Sequence, residues 1–179
     1  MSELVQNLNY VLALGGILIF LKTTVLAFDL YSSQVFEKIL TVWGIWIAFI
    51  FTLASSLMTL IYSEVFGFVP CSLCWLQRVF LYPQVFLLAT SILYKEKVAA
   101  RYGLILSVPG LIIATYQHYL QMGGNQFIAC PTSGGDCAKR IMFEFGFVTF
   151  PLLSAILFLF LIVLYLYILK VSENNKKTA

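Results

Sequence analysis

No charged residue occurs between Thr41 and Tyr62, and a run of that length and apolarity is what an α-helix needs to cross a bilayer core, about 20 residues. The constraint is severe, because no water inside the bilayer satisfies backbone N–H and C=O groups and a helix must satisfy them internally. Trp43 and Trp46 near one end of the run and Tyr62 near the other fit interfacial aromatic belts. Three further runs, about Ser72 to Tyr94, Tyr102 to Gln121 and Phe147 to Leu169, are free of formal charge apart from Arg78. A fifth, over residues 8–30, is weaker. Lys22 and Asp29 interrupt it, so the run is short for a full crossing unless they are paired or turned toward other helices. Seven residues apart, the two share a helix face, where they either meet polar groups of neighbours or lie close to an interface. No Lys or Arg precedes Lys22, so the basic start of a signal peptide is missing and the segment reads as an extra membrane helix. Hydrophobic residues make up 61% of the chain and charged residues 11%, which excludes an ordinary soluble domain. The expectation is an all-α membrane protein with a single integral membrane domain over residues 1–179. It comprises a four-helix transmembrane bundle within 41–170 plus an additional N-terminal transmembrane helix. Pro83 and Pro109, inside their spans, predict kinks.

The basic residues sort by side. Lys38, Lys95, Lys97, Arg101, Lys170, Lys176 and Lys177 fall on one side of the spans, and only Lys139 and Arg140 on the other. The positive-inside rule makes the first side cytoplasmic. This short-cluster pattern is topological and does not suggest nucleic acid as a partner. The N-terminus, Cys71, Cys74, Cys130 and Cys137 then face outward, into a compartment where disulfides persist.

Those four cysteines fall as two close pairs. The first lies in Pro70-Cys71-Ser72-Leu73-Cys74-Trp75-Leu76-Gln77-Arg78, where a turn gives way to a membrane helix. A helix N-terminus carries partial positive charge that favours thiolate over thiol. Arg78 stands one turn below Cys74 on the same face. An anion on Cys74 would be held from both sides. The plain alternative is a structural disulfide with Arg78 reaching for the headgroups. Glu64 reads as a solvated loop carboxylate. His118, near the outer end of its span, reads as an interfacial residue or as one that reaches the level of the cysteines. The second pair, Cys130 and Cys137, lies in an irregular loop from about Met122 to Glu144, rich in glycine. A disulfide closing that small ring is expected to be exposed, and exposed disulfides are the labile ones in exchange. Phe143, Phe145, Phe147 and Phe150 suit anchoring at the interface, or else the wall of a hydrophobic cofactor pocket.

The order of these features resembles the DsbB/BdbC family of bacterial disulfide-bond formation proteins. The likeness rests on the PCxxCxxxR motif at the mouth of a helix, a short basic turn, a helix ending in His118, a second outer pair with Cys130-Pro131, and a last helix after an FGF segment. It covers about residues 41–170 and is most specific at CSLCWLQRVFLYP, Cys71 to Pro83, which resembles the shorter BdbC-like branch. The family has four helices, so the first span is a departure. What the resemblance implies is a thiol oxidase of the bacterial cytoplasmic membrane that supports disulfide formation in exported proteins. It would reoxidise a DsbA/BdbD-like thioredoxin-fold partner and pass electrons to the membrane quinone pool, ubiquinone or menaquinone. The redox-active pairs would be Cys71–Cys74 and Cys130–Cys137. The partner would attack Cys130, Cys137 would attack Cys71, and Cys74, with Arg78 and with His118 as a further candidate, would engage the quinone.

Two other classes bear on the same residues. A vitamin K epoxide reductase-like protein also joins a CxxC to a loop cysteine pair, but there the loop pair comes first, and here the CxxC does. A non-enzymatic protein binding zinc through all four cysteines is opposed by the loose loop spacing and by an oxidising compartment. The expectation is that no metal is bound.

Overall fold

The computed structural model describes residues 3–32, 35–96, 98–127 and 136–177. Among the described residues the chain forms five α-helices, α1 (Glu3–Tyr31), α2 (Glu37–Leu60), α3 (Ser72–Tyr94), α4 (Val98–Gln121) and α5 (Phe150–Lys177). Each is long and apolar enough to cross a membrane. α2 packs on α3, α3 on α4, α4 on α5 and α5 on α2, which closes a four-helix ring; α1 lies outside it against α5. The protein is therefore an all-α membrane protein with one helix beyond a four-helix bundle.

Lipid is as apolar as leucine, so helices in it associate through close packing and interhelical hydrogen bonds. Both are present. A Cβ built at Gly103 would lie 2.6 Å from the Tyr165 ring and one at Gly110 2.5 Å from the Phe158 ring, so these glycines are what allow α5 to approach α4. At mid-bundle the Tyr165 hydroxyl donates to Gln84 Oε1 at 2.8 Å and the Ser107 hydroxyl to the same oxygen at 3.3 Å. One amide thus joins α3, α4 and α5. α3 and α4 each continue as one helix through Pro83 and Pro109.

α1 is longer than its uncharged stretch suggests, and its polar residues explain how it is held. Asp29 is buried and accepts from the Val35 and Phe36 amides, at 2.9 and 3.3 Å, and from the Tyr167 hydroxyl at 2.7 Å. Lys170 Nζ donates to the Leu30 carbonyl at 2.6 Å. At the opposite end the Tyr62 hydroxyl donates to Asn9 Oδ1 at 2.6 Å. Of the two charges in this span, Asp29 meets neighbours, whereas Lys22 is exposed beside an apolar groove between α1, α2 and α5.

Two boundaries differ from expectation. α5 begins at Phe150, because Glu144 to Val148 close a small turn and the Thr149 hydroxyl caps the helix, accepting from the Leu152 amide at 3.4 Å. It then runs to Lys177, so the basic tail continues the helix as far as that residue. α2 does not give way at Tyr62 to an open turn: it passes into a π-helical segment, Ile61–Val65. That turn presents Tyr62 to Phe66, Phe68 and Phe150, with ring centroids 5.4, 6.0 and 4.6 Å away. Phe150 is thereby part of the outer packing, while Phe143, Phe145 and Phe147 stay exposed.

Candidate active site

Cys71 is the N-cap of α3, in extended conformation, and its Sγ accepts from the Cys74 amide at 3.4 Å. A side-chain acceptor there satisfies one of the helix's unpaired N–H groups. The capping sulfur is thus brought over the first turn, and Cys71 Sγ and Cys74 Sγ lie 3.0 Å apart as free thiols. Cys71 is buried and its thiol is pushed well above the ordinary range, first by its hydrogen bond to Cys74 and then by burial.

Both sulfurs also receive a donor from another helix. Gln117 Nε2, on α4, lies 3.1 Å from Cys71 Sγ and 3.1 Å from Cys74 Sγ. Its Oε1 accepts from Gln77 Nε2 on α3 at 2.6 Å. Sequence reasoning missed this amide pair. The available signal was that a polar side chain within a span generally faces the bundle interior, and Gln77 follows Cys74 by one helical turn.

Arg78 is only 7% exposed. Its Nη2 donates to the Thr59 carbonyl of α2 at 2.8 Å, and its guanidinium lies 5.0 Å from the centroid of the Trp75 ring. Nη1 is buried and has no partner among the described residues. The Thr59 hydroxyl donates to the Ser56 carbonyl at 2.8 Å and so accepts from the Tyr82 hydroxyl, also at 2.8 Å. Arg78 is thus held between α2 and α3 below the thiol pair, and does not run out to the headgroups.

His118 is turned elsewhere. One residue along a helix is a rotation of about 100°, and while Gln117 meets the sulfurs, His118 Nδ1 is 2.9 Å from the Thr149 hydroxyl at the start of α5. Glu64 is exposed and solvated as expected, although it lies on the π-helical segment and not in a loop, accepting from the Ser63 hydroxyl at 3.1 Å.

The loop after α4 is fastened at both roots to the last turns of that helix. The Tyr116 and Tyr119 hydroxyls accept from the Phe127 and Asn125 amides at 3.0 and 3.2 Å. On the returning side Gln121 Nε2 donates to the Lys139 carbonyl at 3.0 Å, and Arg140 Nε to the Gln121 carbonyl at 2.5 Å. Cys130 lies outside the described residues. Cys137 is disulfide-bonded and only 1% exposed, which corrects the expectation of an exposed outer pair on the Cys137 side. The reason is packing: Cys137 sits in one apolar cluster with Cys71 and Leu120, its sulfur 3.7 Å from the Ser72 hydroxyl. A disulfide and a thiol pair, 63 residues apart between Cys74 and Cys137, meet at one helix mouth. Thiolate attack on a disulfide needs this kind of proximity.

The family model of disulfide bond formation protein DsbB matches residues 41–168. The SPbeta prophage-derived disulfide bond formation protein B of Bacillus subtilis (strain 168) is 37% identical over 110 residues, 62% of this chain and 74% of the relative. A probable disulfide formation protein of Oceanobacillus iheyensis is 36% identical over 139 residues, 74% of this chain and 90% of the relative. Disulfide bond formation protein C of Bacillus subtilis (strain 168) is 32% identical over 141 residues, 78% of this chain and 99% of the relative. No solved structure matches the chain at a significant level. With relatives this similar and the family model matching most of the four-helix bundle, the chain belongs to the DsbB family of disulfide bond formation proteins and is a membrane-embedded redox enzyme.

Proposed function

We propose that this protein is a quinone-dependent thiol oxidase that reoxidises an extracytoplasmic DsbA/BdbD-like thioredoxin-fold protein. The observation that carries the reading is the burial of Cys137 against Cys71, which supports a relay between the two cysteine pairs. A thiolate of the reduced partner attacks Cys130 Sγ, the Cys130–Cys137 bond breaks, and Cys137 leaves as thiolate. Cys137 Sγ then attacks Cys71 Sγ, and the Cys71–Cys74 bond breaks with its electron pair going to Cys74. The partner's second thiolate attacks its own half of the mixed disulfide and frees Cys130, which attacks Cys137 and releases Cys71. The net result is an oxidised partner, a restored Cys130–Cys137 disulfide and a reduced Cys71–Cys74 pair.

A quinone, ubiquinone or menaquinone, supplies an acceptor for the two electrons and two protons of that dithiol when bound. The residues fit such a group: Arg78 Nη1 is a buried cationic donor with no partner among the described residues, and a quinone oxygen is an acceptor. Arg78 and Cys74 would hold it, while His118, engaged with Thr149, is turned away from them. Arg78 keeps its position through Thr59, and the apolar surroundings of Cys71 and Cys137 shield those two sulfurs from water.

The test is oxidation of a reduced thioredoxin-fold partner by the purified full-length protein, with and without added quinone. Many turnovers with quinone and at most one without are expected. Equal turnover in both would overturn the quinone as acceptor, and no partner oxidation at all would overturn the oxidase.

The orientation follows from the charge asymmetry, with Lys95 to Arg101 cytoplasmic and both cysteine pairs outside. A membrane-impermeant thiol reagent applied to intact cells after reduction should label the cysteines. Labelling only after the membrane is broken would reverse the orientation.

A further inference from the structure

The carboxamide of Gln117 touches both sulfurs of the inner pair, and it comes from a different helix than they do. We infer that Gln117 is a catalytic residue of disulfide exchange: its carboxamide N–H stabilises the Cys74 thiolate that leaves when Cys137 attacks Cys71, and so raises the reduction potential of the Cys71–Cys74 pair. The inference rests on the reading of Cys71 and Cys74 as the inner redox pair.

The geometry is specific. Gln117 is 1% exposed and Gln77 7%, and buried amides persist only where their donors and acceptors are used. Gln77 uses its Nε2 on Gln117 Oε1. This directs the Gln117 Nε2 at the sulfurs, 3.1 Å from each. A neutral sulfur is a weak acceptor, whereas hydrogen bonds to an ionised group are about twice as strong as neutral ones. The carboxamide N–H is consequently worth most when one sulfur carries negative charge and least when the two are joined in a disulfide. That difference favours the reduced form. It also acts in the attack itself, where the bond from Cys137 to Cys71 forms, the bond from Cys71 to Cys74 breaks, and charge develops on Cys74 beneath a donor already in position. Arg78 and the start of α3 belong to the helix of the cysteines, whereas Gln117 ties the same charge to α4. Stabilising the reduced form makes a dithiol pair a stronger oxidant, so the amide helps the inner pair draw electrons from the outer one.

The experiment is redox titration of the full-length protein in detergent against glutathione buffers, with alkylation used to read each cysteine pair in wild type, Gln117→Leu and Gln77→Leu. Gln117→Leu should lower the potential of Cys71–Cys74 by a shift equivalent to tenfold or more in the exchange equilibrium, about 30 mV for a two-electron couple. The potential of Cys130–Cys137, read in the same molecule, should not move. Gln77→Leu keeps Gln117 but frees its amide to rotate, and should give a smaller shift in the same direction. An unmoved inner potential in folded Gln117→Leu overturns the inference. If that variant does not fold, an unmoved inner potential in Gln77→Leu overturns it instead. A general loosening of the structure would shift both pairs together, and that outcome also counts against Gln117. Failure of the underlying reading looks different: the wild-type pair would then not be reoxidised by quinone at all.

Discussion

Cys137→Ser should stop turnover and accumulate a mixed disulfide between Cys130 and the thioredoxin-fold partner. The substitution leaves Cys130 as a lone thiol: its thiolate attacks the disulfide of the oxidised partner, one partner sulfur leaves as thiolate, and the mixed disulfide stays because the Cys137 thiol that would resolve it is gone. Loss of partner oxidation to background is expected, since no other sulfur among the described residues packs against Cys71 from outside its own motif. Serine is nearly isosteric, and its hydroxyl at a buried position beside Ser72 leaves the packing of Leu120 and Cys71 in place. Denaturing gels without reductant, followed by mapping of the linked cysteine, read the result. A mixed disulfide at Cys71 or Cys74 with none at Cys130 would reverse the roles of the two pairs.

Arg78→Met should keep the fold, weaken the quinone and slow reoxidation of Cys71 and Cys74, while thiol exchange with the partner at Cys130 and Cys137 is much less affected. A hydrogen bond to a charged group contributes about 1.5–3 kcal/mol, which corresponds to roughly 10- to 100-fold in affinity. The fold should tolerate the change for two reasons. Methionine fills much of the same volume, and it removes a buried Nη1 that has no partner among the described residues. The Thr59 carbonyl also keeps a second donor, the Ser63 hydroxyl at 3.2 Å. Lysine at this position should rescue in part, because a single ammonium lacks the planar fork that reaches Thr59 and a second acceptor at once. The measurement is the quinone dependence of the oxidation rate in the two variants and wild type. Unchanged quinone affinity and turnover in Arg78→Met would leave this arginine a structural tie between α2 and α3.

On the proposed reading Gln117 and Arg78 divide the work around one sulfur pair. The arginine, anchored on α2, offers a nitrogen that has no partner among the described residues. The glutamine, anchored by Gln77, covers both sulfurs from α4. The first should act chiefly on quinone affinity and reoxidation, the second on the potential.

The membrane helices were legible in the sequence because lipid leaves so few options: an uncharged run of about 20 residues must be a helix. The extra first helix was legible too, although its length was not, because Lys22 and Asp29 interrupt the apolar pattern. Only contacts distant in sequence, from Asp29 to Tyr167 and from Asn9 to Tyr62, account for its polar residues. Within the site, whatever depends on helical spacing was readable: the Cys71–Cys74 pair at the helix mouth and Arg78 one turn below Cys74, whereas the N-cap role of Cys71 came from the structure. Tertiary structure decided which residues of the other segments meet them. A membrane helix that is apolar nearly all round does not announce its inward face, so the choice between His118 and its neighbour Gln117 rested on the rotation of α4 against α3. Burial of Cys137 was equally out of reach. A loop with many glycines reads as exposed, and only the fastening of its returning side to Gln121 by Lys139 and Arg140 brings that sulfur in against Cys71. Local spacing follows from backbone geometry alone, whereas the partners of the two sulfurs depend on how separate helices pack.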